Sequence, residues 1–211
     1  MSWHCKTVGA YIRSSDEAKE NARMIWGILG SRGWSLNAVC GVLGNIGAES
    51  GYNPWRWQSD KVGVSGGSPW KNKGYGLTQF TPASKYIDSE DAKAIPGYGP
   101  NFSDKAGSLD DGYAQMIFLD EHADYYATGS YPMSYSEYKI SEDNPGELAV
   151  TWLYNYERPA DPGATEDARR ENGNYWYEVL AGEPPVPPTP GGGSKYLKYL
   201  LFLWEVTHHV R

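Results

Sequence analysis

The 211 residues predict an α+β domain in which helices dominate and one small, irregular β element interrupts them. Two observations carry this. Apolar residues recur at three- and four-residue steps through most of the first 180 positions, and capping signatures open several of these stretches. Between Tyr52 and Phe80 that spacing gives way to alternating aromatics and closely spaced glycines. Hydrophobic content of 40% with 21% charged residues supplies one core of ordinary size.

Residues 1–13 read as a lead-in. Ser14 and Glu17 have capping-box spacing, and Ala18, Ala22, Ile25, Trp26 and Leu29 form the stripe of a first helix ending near Gly30 and Gly33. Ser35 caps a second helix whose stripe is Leu36, Val39, Cys40, Leu43 and Ile46. Gly51 and Pro54 stop it just past Glu49-Ser50. The short turn between the two helices predicts an αα-hairpin. Gly41, Gly44 and Gly47 inside the second helix each cost roughly 1 kcal/mol against alanine. Close approach of another helix or of a ligand is the expected offset.

Gly74 to Phe80 reads as a short strand, next in the chain to Glu49 and therefore placed to wall a cleft. Thr81-Pro82 predicts a helix start. Residues 95–105 are a loop, and Ser108 opens another helix with Asp110 and Asp111 in its first turn. Asn144-Pro145-Gly146-Glu147 starts a helix with the stripe Leu148, Trp152 and Tyr156, and a last helix covers about 165–180. Residues 183–194 are a proline-rich then glycine-rich linker, so the domain is 1–182 and an apolar tail of 195–211 follows.

A net charge of −7 with no basic stripe excludes nucleic acid as a partner. No signal peptide is visible, and the longest apolar run, 199–204, is too short to span a membrane. Cys5 and Cys40 could pair, although Cys40 lies on an apolar stripe and reads as a small buried hydrophobe. Nine Trp and seventeen Tyr against four Phe are a weak pointer to sugar binding. No metal or other cofactor is expected, since adjacent His208-His209 in a tail make a poor zinc pair.

Glu49 is the residue most suited to chemistry. The negative end of the helix dipole, with Val42 and Ile46 on nearly the same face, disfavours its anionic form. A general acid for glycosidic cleavage needs a carboxyl still protonated near neutral pH. The alternative is a solvated helix-end glutamate.

Three blocks then stand together in order: Ile46-Gly47-Ala48-Glu49-Ser50, Gly74-Tyr75-Gly76-Leu77-Thr78-Gln79-Phe80-Thr81-Pro82, and Tyr154-Asn155-Tyr156-Glu157-Arg158-Pro159. Over about residues 14–181 the chain resembles the phage tail lysozyme family of the wider lysozyme and lytic-transglycosylase superfamily. The resemblance implies a lysozyme-like fold whose β element walls a substrate cleft. It implies bacterial peptidoglycan as substrate, in the virion tail or at the host cell wall, with Glu49 as catalytic acid. Ser50, Tyr75, Gln79, Phe80, Tyr156 and Glu157 match positions that bind substrate. Asp60 is the natural second carboxylate; Glu157 and Asp161 are alternatives, with an ion pair to Arg158 the plainer reading of Glu157. Hydrolysis of the β-1,4 bond between N-acetylmuramic acid and N-acetylglucosamine is expected. Lytic transglycosylation and an inactive glycan-binding tail module stay open. The tail at 195–211 lacks the metal ligands of a peptidase domain and is a candidate contact for other tail proteins.

Overall fold

The computed structural model describes residues 3–6, 10–12, 15–58, 72–102 and 111–185. Eight α-helices follow one another among them: α1 (Ser15–Ser31), α2 (Leu36–Ser50), α3 (Ser84–Ile87), α4 (Glu90–Ala94), α5 (Gly112–His122), α6 (Tyr135–Ile140), α7 (Pro145–Trp152) and α8 (Glu166–Leu180). None is long and apolar enough to cross a membrane.

The central element is α2, which packs with α7 and α8 in a mutually contacting trio and also touches α1. Its ends are set as its sequence predicts. Ser35 Oγ accepts from the Ala38 N–H, and Gly51 in the left-handed region (φ 57°) closes it by donating to the Gly47 carbonyl. Its glycines are explained by packing. A Cβ on Gly44 would sit 2.9 Å from the Arg169 carbonyl oxygen and 3.0 Å from both Ala149 Cβ and Gly173 N. On Gly41 it would meet the Tyr138 hydroxyl and Leu148. The backbones of α7 and α8 come as close to α2 as the absence of side chains allows.

Caps also fix α7, where Asn144 Oδ1 accepts from Gly146 and Glu147 N–H. The 3₁₀ turn Gly163–Thr165 leads into α8. Helix α6 has a full capping box, Ser134 with Glu137, that the sequence reading passes over. The predicted start at Thr81-Pro82 is displaced to Ser84. Thr81 Oγ1 donates to the Gln79 carbonyl and closes the preceding turn instead of capping a helix. Asp111 is not inside a helical turn either; it stands at the N-cap of α5 in the left-handed region, while Ser108 and Asp110 lie outside the described residues, as does Ser14.

The β element is a correction. Among the described residues there are no strands, only two isolated antiparallel bridges, Trp57 with Tyr75 and Tyr75 with Phe80. Positive φ at Gly76 (85°) and Gln79 (48°) reverses the chain within four residues, so the segment folds back before a ladder can run. Gln115 of α5 clamps this turn: its Oε1 accepts from Leu77 N–H at 2.7 Å and its amide donates to the Pro54 carbonyl.

Part of the aromatic surplus is core, the tryptophans above all, among the described residues. Trp57, Tyr75, Tyr86, Tyr138 and Trp152 are fully buried, with polar atoms matched to partners. Trp57 donates to the Asn101 carbonyl, and Tyr138 donates to the carbonyls of Ala38 and Leu148. Buried Asp111 accepts four hydrogen bonds, from Tyr75 and Tyr86 hydroxyls, the Gly99 N–H and the Gln115 amide. Cys5 and Cys40 are not joined to each other; burial pushes the Cys40 thiol up to about 12.

Candidate active site

A cleft of about 850 Å³ opens where the end of α2 meets the 76–80 turn, the end of α5 and the segment after α7. Glu49 enters it from the last turn of α2, Gln79 and Phe80 from the turn, and Tyr156 and Glu157 from the fourth side.

The last of these is placed by an irregularity. Past Trp152 the helix widens into a π-turn, Leu153–Glu157, closed by Arg158 in the left-handed region (φ 47°) whose N–H donates to the Leu153 carbonyl. Such π-turns inside helices are frequent at functional sites. Here the turn delivers both Tyr156 and Glu157 to the cleft wall. Tyr156 stacks on Trp152 with ring centroids 4.5 Å apart, and its hydroxyl meets Thr78 Oγ1 at 3.3 Å.

Glu49 is anchored by a residue the sequence reading did not single out. Its Oε1 accepts from Arg169 Nη2 at 2.8 Å, and Arg169 Nη1 donates to the Asn45 carbonyl at 2.8 Å. Arg169 is only 5% exposed, so this guanidinium acts in a poorly screened setting. It offsets both the Glu49 charge and the negative end of α2. A signal existed: the buried face of α8 is Arg169, Gly173, Trp176 and Leu180, a helical stripe with an arginine in an apolar slot.

Glu157 has a different environment. Its Oε1 accepts from Trp152 Nε1 at 3.1 Å, not from a neighbouring arginine. Arg158 instead reaches Asp124 at 3.4 Å, which also receives Lys85 at 2.8 Å. Burial, and next the charge of Glu49, hold the Glu157 carboxyl well above the usual carboxylate range; Trp152, Arg169 and Arg158 oppose this less strongly. Two carboxyls thus share one cleft, one bonded to a buried cation and the other held above the usual carboxylate range by burial.

The remaining candidates divide. Gln79 lines the cleft while its amide donates to the carbonyls of Arg56 and Gly76, which fixes its rotamer. Phe80 lines it too, stacked on Tyr86 at 5.1 Å. Ser50 does not reach it: the side chain is buried and Oγ donates to the Ile46 carbonyl. Tyr75 is likewise buried, its hydroxyl donating to Asp111 and accepting from Asn101 N–H, so it braces the turn and does not face a ligand. Asp60 lies outside the described residues. Asn155 in the third block holds a loop, donating to the Tyr125 hydroxyl and the Tyr131 carbonyl. Lys85, His122 and Asp124 line the cleft unanticipated, being scattered over two helices and a loop with no motif to join them.

A family model described as phage tail lysozyme matches residues 20–180. The chain is also similar to Morphogenesis protein 1 of Bacillus phage B103, with 33% identity over 175 residues. That match covers 82% of this chain and 42% of the relative, so the chain spans less than half of the relative's length.

Proposed function

Since the chain belongs to the phage tail lysozyme family, we propose that this cleft cuts the glycan strands of bacterial peptidoglycan, as part of a phage tail-associated lysin acting at the host cell wall. The observation that carries the reading is the helix-end glutamate, Glu49, lining the cleft with a buried arginine bonded to it and a second carboxyl, Glu157, in the same lining. The bond cut is the β-1,4 link from N-acetylmuramic acid to N-acetylglucosamine. Glu49 takes part in protonating the leaving oxygen as the sugar ring gains oxocarbenium character. Tyr156 and Phe80 offer apolar surface and Gln79 a polar edge to the sugars, which supports a saccharide as occupant.

We favour hydrolysis, with lytic transglycosylation as the second reading. Digestion of purified Gram-positive walls followed by mass spectrometry of soluble muropeptides tests both. Hydrolysis adds one water and leaves a reducing muramic acid end, whereas attack by the muramoyl 6-hydroxyl gives 1,6-anhydro products. Glu49→Gln should slow either reaction by roughly two orders of magnitude or more. Unimpaired lysis by Glu49→Gln removes Glu49 from the chemistry, and anhydro products as the main species replace hydrolysis. Saturable glycan binding without any new chain ends leaves a binding module. Asp60 stays a candidate partner, and Asp60→Asn belongs in the same series.

A further inference from the structure

We propose that Glu157 is a catalytic carboxyl of this cleft and works as a pair with Glu49, with Arg169 holding the pair's negative charge. This rests on the glycan-cleaving reading above. Three observations carry it. Both side chains line the same cleft, from different elements. Glu157 gets there by the π-turn Leu153–Glu157 and the left-handed Arg158, a departure from regular helical geometry just where the carboxyl meets the cleft. Finally, the guanidinium within reach is committed on one side: Arg169 bonds Glu49 and the Asn45 carbonyl, whereas Glu157 receives the neutral indole N–H of Trp152.

Two carboxyls lining one cleft and acting on each other's charge, with one buried cation bonded to Glu49, favour one negative charge and one proton. The charged groups around Glu157 are Glu49 from α2, Arg169 from α8 and the adjoining Arg158, with Asp124 and Lys85 further along the wall. The proposed cycle starts with one proton on the pair, which burial and the charge of Glu49 favour on Glu157. In the reaction the pair gives one proton to the glycosidic oxygen as the C1–O bond breaks, that bond's electrons staying on the leaving oxygen. The pair is then doubly anionic beside Arg169. It regains a proton from the water, or from the muramoyl 6-hydroxyl, whose oxygen bonds to C1. Atoms and charge balance without a third acid.

The experiment uses the whole chain with Glu157→Gln, Glu49→Gln and the parent. Glutamine keeps an oxygen to accept from Trp152, so Glu157→Gln should fold and melt close to the parent. It should nonetheless lose about 100-fold or more in turnover on purified walls, and the alkaline limb of its residual pH profile should move to lower pH. Independently of turnover, carboxyl-carbon NMR of the glutamates should show Glu157 titrating at lower pH in Glu49→Gln than in the parent. Activity of Glu157→Gln within about threefold of the parent, with an unmoved pH profile, overturns the proposal. So does a Glu157 titration that ignores Glu49→Gln. A parent that cuts no glycan at any pH overturns instead the functional reading beneath it, even with the NMR coupling intact.

Discussion

At the scale of single residues, the sharpest handle outside the cleft is Asp111. It is fully buried among four donors, and burial, working against those hydrogen bonds, pushes its carboxyl up to about 6 from an ordinary 3.8. A carboxyl raised on folding stabilises the fold below its unfolded value, and that contribution is lost as pH rises through the folded value. The window is therefore pH 4 to 6, and the raised value corresponds to about 3 kcal/mol across it. Other carboxyls, such as Asp120 and Asp124, are lowered by hydrogen bonds and arginine or lysine partners and pull the opposite way, so the total curve hides the effect. Comparison with Asp111→Asn isolates it. The parent should gain on the variant as pH falls from 7 to 4, measured as urea unfolding free energies at both ends. At pH 7 the variant should already be weaker, by about 1–3 kcal/mol, because its amide presents donors to donors. Of the cleft residues, Glu49 was legible because a helix stop follows it immediately. Arg169 was legible only as an arginine in the apolar stripe of α8; its bond to Glu49 depends on α8 lying against α2, which no local spacing encodes.

Among the elements, those with strong caps and stripes were legible and those shaped by their surroundings were not. Ser35, Gly51 and Asn144 do at α2 and α7 what their side chains and backbone freedom dictate locally. The segment Gly74 to Phe80 has strand-like composition, yet Gln115 and Asp111 of the α5 region pull its backbone and Tyr75 inward, and the turn wins. The π-turn after Trp152 was equally hidden: its residues continue a helical stripe, and the extra residue per turn has no sequence signature here. The glycines of α2 were read correctly as unusual, and the reason is now specific. Gly44→Ala gains helix propensity of about 1 kcal/mol but forces a methyl against the backbone of α8 and Ala149. Overpacking of this kind costs about 1–3 kcal/mol, so the expected outcome is a lower melting temperature. A variant that melts higher would show that α8 can shift outward freely.

For the whole molecule, the described residues just after Gly182 pack back onto the first helix. Glu183, at the start of the proline-rich stretch, receives Arg23 of α1 through two nitrogens at 2.8 and 3.0 Å, and its carbonyl accepts from Trp26 Nε1. Pro185 lies over Gly30 at the other end of the same helix face. A chain ending at Pro185 should therefore unfold at higher temperature than one ending at Gly182, by a few degrees in calorimetry, with equal cleavage rates per folded molecule. Identical melting would mean these contacts add nothing. The same long-range architecture has a further consequence through Arg169. The cation that balances Glu49 comes from a helix 120 residues later in the chain. A ribosome that has released α2, the 76–80 turn and even the π-turn has made every carboxyl of the cleft but not its counter-charge. The ion pair that backs Glu49 is thus complete only after α8 has been made and has docked on α2.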